Sequence, residues 1–260
     1  DDRTDRGQQS GLVLQFCMPI WQKKWVNCHC CQIRFCYSLP MKETAPISIG
    51  FYLYDGLQTL DASGPYEVLF GANEILDREV YSLHLFSEEG GSVRGKSGLT
   101  LGPCRPLADI EDAGPFDTFI IPGGDNAFVE YRKKPVLDLV RQQHGSVRRL
   151  CSVCTGSVIL AETGLLDGKR ATSHWGVCDW LQRHYPLVEV DADAIYVKEG
   201  RIYTSAGVTA GMDLALALIE EDFGLEVALA VARRKVMFMK RPGGQSQFSA
   251  HLKAQFQERE

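Results

Sequence analysis

The sequence predicts an α/β domain built on a mainly parallel sheet with helices covering both faces. Three observations carry this. From Ile47 onward, short β-rich apolar runs alternate with helical stretches, and parallel strands need crossover helices between them. The strand in "DTFIIPGG" reads as a buried apolar run, as expected of a sheet covered on both sides. Finally, "SVCTG" at 152–156 places a cysteine between a strand and a helix, with small residues on either side, the layout of a nucleophile elbow.

The elements follow in order. "ISIGFYLY" (47–54) is the first strand. "DGLQTLDASG" leads into a helix over 65–76, where Pro65 suits a first turn because its missing N–H costs nothing there. "YSLHLFS" (81–87) is a strand stopped by "EEGG", and "GLTLGP" is an extended piece after a turn. "DTFIIPGG" (117–124) runs into Pro-Gly-Gly, and 135–143 is helical. "RRLCSVC" (148–154) is a strand and 155–163 a helix closed by Gly164. "KRATSHW" is a short strand and 175–183 a helix. "AIYVKEGRIYTSAG" is a hairpin turning at Glu199-Gly200. Two apolar helices, 210–223 and 225–236, are split by Gly224. The domain is expected over 41–242, and 243–260 is polar, a linker or tail.

A chain of 260 residues, 45% of them apolar, is expected to bury one full core. The formal net charge is −5 and the basic residues form no long run, so this chain is expected to make no direct nucleic-acid contact. No apolar stretch reaches the length of a membrane helix. Of the nine cysteines, Cys17, Cys28, Cys30, Cys31 and Cys36 crowd the first forty residues. A secreted disulfide scaffold would spread them through the chain, so the body reads as cytoplasmic with reduced thiols. Residues 1–40 show no periodicity and are expected to be an appended or non-native segment, disordered and dispensable. Their Cys28-x-x-Cys31, with His29 and Cys36 nearby, lacks the second ligand pair that zinc needs. No metal and no cofactor is expected.

Cys151 and Cys154 could be a redox pair or a nucleophile with a bystander. Residues three apart on a strand point to opposite faces, so the two cannot close a disulfide without unmaking the sheet. The elbow is favoured over the redox pair and over a buried packing cysteine. Cys154 is then the nucleophile and Cys151 is packing. The N–H groups of Thr155 and Gly156 open the next helix without intrahelical partners. They are expected to favour a thiolate at Cys154 and to donate to an oxyanion.

Open parallel sheets place their sites at the carboxyl ends of strands, and three such ends offer chemistry. Gly123 and Gly124 bring backbone N–H groups near a ligand or form a simple tight turn. His174 is a base or thiolate partner, or a structural histidine. Asp61 hydrogen-bonds the thiol or caps the following helix, and spacing alone favours the cap.

Together, "DGLQTLDASGPYEVL", "FIIPGG", "SVCTGSVILAETGLLDGKRATSHW" and "IYTSAGVTAGMDLALALIEEDFG" resemble the ThiJ/PfpI superfamily. Its flavodoxin-like fold, a three-layer sandwich, carries an elbow cysteine. Within it, the chain most resembles the N-terminal domain of GlxA-type regulators, in which an AraC-type helix-turn-helix pair follows. "VARRKVMFMKRPGGQSQFS" is similar to the segment that closes that domain.

By that resemblance Cys154 is the elbow cysteine and Asp61 the carboxylate near the thiol. Gly123, Gly124 and Thr155 line the site, and His174 stands beside it. PfpI-type peptidases carry a histidine where Thr155 stands, and glutamine amidotransferases a later His-x-Glu that is missing here. Neither activity is expected. The resemblance implies a ligand-sensing domain of an AraC/GlxA-type regulator, without its DNA-binding half in this chain. It is expected to bind a small-molecule metabolite and to form a homodimer. The alternative it implies is a stand-alone cysteine-dependent enzyme like the isonitrile hydratases, which pair an Asp with a Cys-Thr.

Overall fold

The computed structural model describes residues 45–239, 244 and 245. The expectations for 1–40, including the cysteine-rich stretch, and for the tail after Gln245 lie outside the described residues. The described residues, from Ala45 onward, form one compact unit.

The strands are β1 (Ile47–Tyr52), β2 (Tyr81–Ser87), β3 (Gly91–Arg94), β4 (Thr100–Pro106), β5 (Thr118–Ile121), β6 (Arg149–Val153), β7 (Arg170–Ala171), β8 (Glu189–Val190), β9 (Tyr196–Glu199) and β10 (Ile202–Ser205). The helices are α1 (Thr59–Leu76), α2 (Ile110–Ala113), α3 (Ala127–Glu130), α4 (Lys134–Ser146), α5 (Gly156–Glu162), α6 (Trp175–His184), α7 (Thr209–Phe223) and α8 (Leu225–Arg234).

Eight strands form one sheet in the order β3-β4-β2-β1-β5-β6-β10-β9. Its centre is parallel throughout, and only the outer pairs β3–β4 and β9–β10 are antiparallel. The helices pack in two groups, α1 with α7 and α8, and α5 with α3 and α4. Every residue of β5 and β6 is buried. Strands covered on both faces can carry unbroken apolar runs, and "TFII" does. The fold is the flavodoxin-like α/β sandwich.

Chain order runs outward from β1 to β2 and β4, then returns to β5, β6 and β10 on the other side. That reversal opens a crevice at the carboxyl ends of β1 and β5. Two expectations need correction. Helix α1 begins at Thr59, so Pro65 lies inside it rather than in its first turn. "KRATSHW" contributes only β7, which pairs with β8 in a separate ladder outside the main sheet. "EEGG" does end β2 after Ser87, and its last glycine begins β3, which folds back on β4. No helix among the described residues is long and apolar enough to cross a membrane.

Candidate functional site

Cys154 sits just past the end of β6 with φ 57°, a left-handed conformation that costs a non-glycine residue about 1–2 kcal/mol. Its neighbours explain how the turn is held. A Cβ on Gly156 would lie 2.3 Å from the Ile121 carbonyl oxygen, so only glycine lets the chain leave β6 across the end of β5. Cys154 N–H donates to Ser205 O at 2.9 Å. Its carbonyl accepts from Ser157 Oγ and Ser173 Oγ, both at 3.1 Å. The strained residue is therefore tied on both sides, and the side chain is left 7% exposed.

Asp61 is fully buried in the first turn of α1. It caps nothing: Gln58 is the N-cap, with no side-chain hydrogen bond. Instead Asp61 Oδ1 accepts the Val208 N–H at 2.6 Å, across from the turn that follows β10. Its Oδ2 is buried beside the Cys154 thiol, whose hydrogen bond to the carboxyl favours the carboxylate. Burial raises the Asp61 carboxyl to about 6, while the Val208 N–H, the Cys154 thiol and the Gly123 N–H pull the other way.

The expectation of a helix-activated thiolate is not met. Burial and the Asp61 carboxylate push the Cys154 thiol well above its ordinary range, outweighing the Thr155 N–H and hydroxyl that favour ionisation. A like charge beside a buried acid favours the protonated form. Helix α5 has only seven residues, a weak counter to that burial. Cys151 is likewise raised to about 12 by burial. Cys104, Cys151, Cys154 and Cys178 are all free thiols.

A cavity of about 470 Å³ opens over Cys154, lined also by Gln58, Lys96, Gly124, Phe128 and His174. Of the residues expected from sequence, Gly124, Cys154, Thr155 and His174 face it. Asp61 lies beneath the thiol rather than at the mouth. Gly123 and Gly156 serve close packing: a Cβ on Gly123 would stand 2.5 Å from Thr155 N. Nor is Gly124 a free donor, because its N–H donates to Thr155 Oγ1 at 2.8 Å, and that hydroxyl donates back to Gly124 O at 2.9 Å. The Pro-Gly-Gly turn thus holds Thr155, and through it the elbow.

His174 is the N-cap of α6, and its Nδ1 accepts the Gly176 N–H at 3.3 Å. Burial lowers its pKa. An imidazole accepting at Nδ1 is neutral and carries its proton on Nε2, so His174 is a hydrogen-bond donor at the cavity wall, not a base through Nδ1.

Several site residues were not singled out in the sequence. Val208, at φ 51°, supplies the N–H held by Asp61. Tyr54, buried, donates its hydroxyl to Pro122 O at 2.9 Å beside Asp61 and Cys154. Gly207 lies against Cys154 itself, and a glycine just after the strand beside the elbow strand was the available signal. Lys96 and Asp125 pair at the cavity edge, 2.7 Å apart.

The Asp61 shift makes a prediction. An acid whose folded pKa is raised destabilises the fold when ionised. That cost is absent below the unfolded value of 3.8 and complete above about 6. Asp61 should therefore lower folding stability as pH rises through this window, by up to about 3 kcal/mol. Asp61→Asn keeps an oxygen for Val208 and cannot ionise. Urea titrations at several pH values should show the wild type losing stability relative to Asp61→Asn across this window. That loss comes on top of the opposite slope that His84, His144 and His174, all held low by burial, give both proteins. Equal slopes in both would exclude Asp61 as the source of the loss.

Residues 47–221 match the DJ-1/PfpI family. The isonitrile hydratase of Pseudomonas putida is 35% identical over 185 residues, covering 71% of this chain and 76% of that protein. The HTH-type transcriptional regulator GbdR of Pseudomonas aeruginosa is 34% identical over 194 residues, covering 75% of this chain and 52% of the regulator; the chain thus spans about half of GbdR's length. Among solved structures, Drosophila melanogaster DJ-1beta superposes with a TM-score of 0.66 at 23% identity, over 75% of this chain and 100% of that one. With its parallel sheet, its cysteine elbow and a match over most of its folded residues, the chain belongs to the DJ-1/PfpI family.

Proposed function

We propose that this chain is the ligand-sensing domain of a GlxA-type transcription regulator. It binds a small polar or amine-bearing metabolite in the cavity over Cys154. The observation that carries the reading is the burial of the thiol: Cys154 is enclosed beside the Asp61 carboxyl, and both push its pKa up, while His174, with Nδ1 engaged, offers it no base there. A floor of neutral hydrogen-bonding groups suits recognition. The similarity to GbdR supports the reading, and the net charge of −5 argues that DNA is not contacted by this domain. We also propose a homodimer, the commonest assembly of soluble chains, which a mass by light scattering tests.

A second reading has its own observation. The Asp61 carboxyl, buried and hydrogen-bonded with the Cys154 thiol, could take the thiol proton during attack on an electrophilic carbon. With an isonitrile, the S–H would add across the terminal carbon to give a thioimidate. Water would then release the N-substituted formamide and restore the thiol. One experiment separates the two: a metabolite screen by thermal shift, run beside isonitrile and α-oxoaldehyde consumption by wild type and Cys154→Ser. Sensing predicts a saturable stabilisation, about 2.7 kcal/mol at a hundredfold excess over Kd, with no turnover. Rapid Cys154-dependent turnover would overturn it in favour of the hydratase.

A further inference from the structure

Gly244 and Gln245 lie against the loops after β7 and β8, and Gln245 is hydrogen-bonded to both. Gly244 passes so close to Asp193 that a Cβ would stand 2.3 Å from its carbonyl oxygen. That approach lets Gln245 N–H donate to Asp193 O at 2.8 Å. The Gln245 side chain is buried, the residue being 5% exposed. Its Nε2 faces three oxygens: Thr172 Oγ1 at 3.2 Å, Ser173 O at 3.0 Å and Ala194 O at 2.9 Å. A carboxamide brings two N–H donors to such a pocket. A carboxylate of the same shape would bring only acceptors.

Ser173 is the junction. Its carbonyl accepts from Gln245, while its hydroxyl donates to Cys154 O and bonds Ser157 Oγ at 2.8 Å. The next residue is His174, on the cavity wall and at the N-terminus of α6. A path of two hydrogen-bonding steps therefore runs from the Gln245 amide through Ser173 to the backbone of the strained elbow.

We propose that Gln245 is a positioning residue that couples docking of the Gly244–Gln245 pair to the state of the Cys154 cavity. The proposal rests on the sensor reading, for which it supplies the physical route out of the site. Docking holds the Thr172–Ser173 loop against the elbow and, through the next residue, keeps His174 at the cavity wall. By linkage, whatever fills the cavity and moves that loop changes docking by the same factor.

The test uses iodoacetamide as the probe of Cys154 and hydrogen exchange at the Gln245 amide as the probe of docking. Gln245→Glu and Gly244→Ala should each speed Cys154 alkylation about tenfold, from loss of the buried hydrogen bonds, with Cys104 unchanged. Gln245→Glu should exceed Gln245→Ala, since it adds repulsion from three oxygens. A packing role predicts the reverse order, because Glu fills the same space and Ala leaves a void. In the unmodified sequence, alkylating Cys154 should alter exchange at Gln245, a readout that requires no variant to fold.

Unchanged Cys154 rates in variants whose Gln245 amide exchanges freely would overturn the coupling. So would equal acceleration at Cys104 and Cys154, or exchange at Gln245 that ignores alkylation. None of these readouts uses a metabolite. A failed metabolite screen therefore removes the sensor reading alone, and flat alkylation rates remove the coupling alone.

Discussion

Asp222→Ala is expected to cost about 3–5 kcal/mol of folding stability, the range for removing one partner of a buried ion pair. Asp222, at the end of α7, is almost fully buried and accepts from Arg149 at 2.7 and 3.1 Å, from Arg148 at 2.6 Å and from Tyr81 Oη at 2.8 Å. Arg149, equally buried, opens β6, and its Nε donates to Thr118 Oγ1 on β5. One carboxylate thus joins α7 to β2 and β6 at the edge of the sheet opposite the elbow.

Removing Asp222 would leave the Arg149 guanidinium buried, with Asp117 at 3.2 Å and Glu221 at 3.8 Å as its remaining carboxylates. Denaturant titration should show the loss as a lower midpoint. Asp138→Ala, which breaks an exposed pair with Lys134, should move it by less than about 0.5 kcal/mol. Similar small shifts for both variants would show that the buried network adds nothing to stability.

Gly207→Ala should disable the site and destabilise the fold by about 2–4 kcal/mol. The residue has φ 89°, where any side chain is strained. A Cβ there would fall 2.2 Å from Cys154 Cβ and 2.9 Å from Sγ. The Cβ cannot retreat, because the Cys154 backbone is anchored through its N–H and its carbonyl. The turn after β10 would have to move instead, and it carries the Val208 N–H held by Asp61. Gly200→Ala is the control: φ is 61° but no atom lies within 4 Å of the added Cβ. It should show the backbone strain alone, about 1 kcal/mol. Thermal melts with and without a stabilising metabolite would read both effects. If Gly207→Ala melts and binds as Gly200→Ala does, the close approach to Cys154 has no consequence.

Much of the architecture was legible in the residues because it is local. Strand and helix alternation from Ile47, the breaks at Gly164 and Gly224, and the hairpin at Glu199-Gly200 all follow from periodicity and turn chemistry within a few positions. The elbow was legible for the same reason: small residues around Cys154 are what a sharp strand-to-helix turn demands. Where local rules compete, they misled. Pro65 suggested a helix start, yet α1 begins at Thr59. Asp61 suggested a cap, yet its partner is Val208, 147 residues away.

The sequence by itself thus determined the α/β class, the parallel core and the position of the cysteine. Only the tertiary structure decided what that cysteine is. Its ionisation depends on how deeply it is buried and on which carboxylate stands beside it. Both are set by β1, β5, β6 and β10 meeting at one sheet edge. The same convergence brought Gly207 against Cys154 and Gln245 beneath Ser173. Such contacts join segments far apart in the chain, and periodicity carries no record of them.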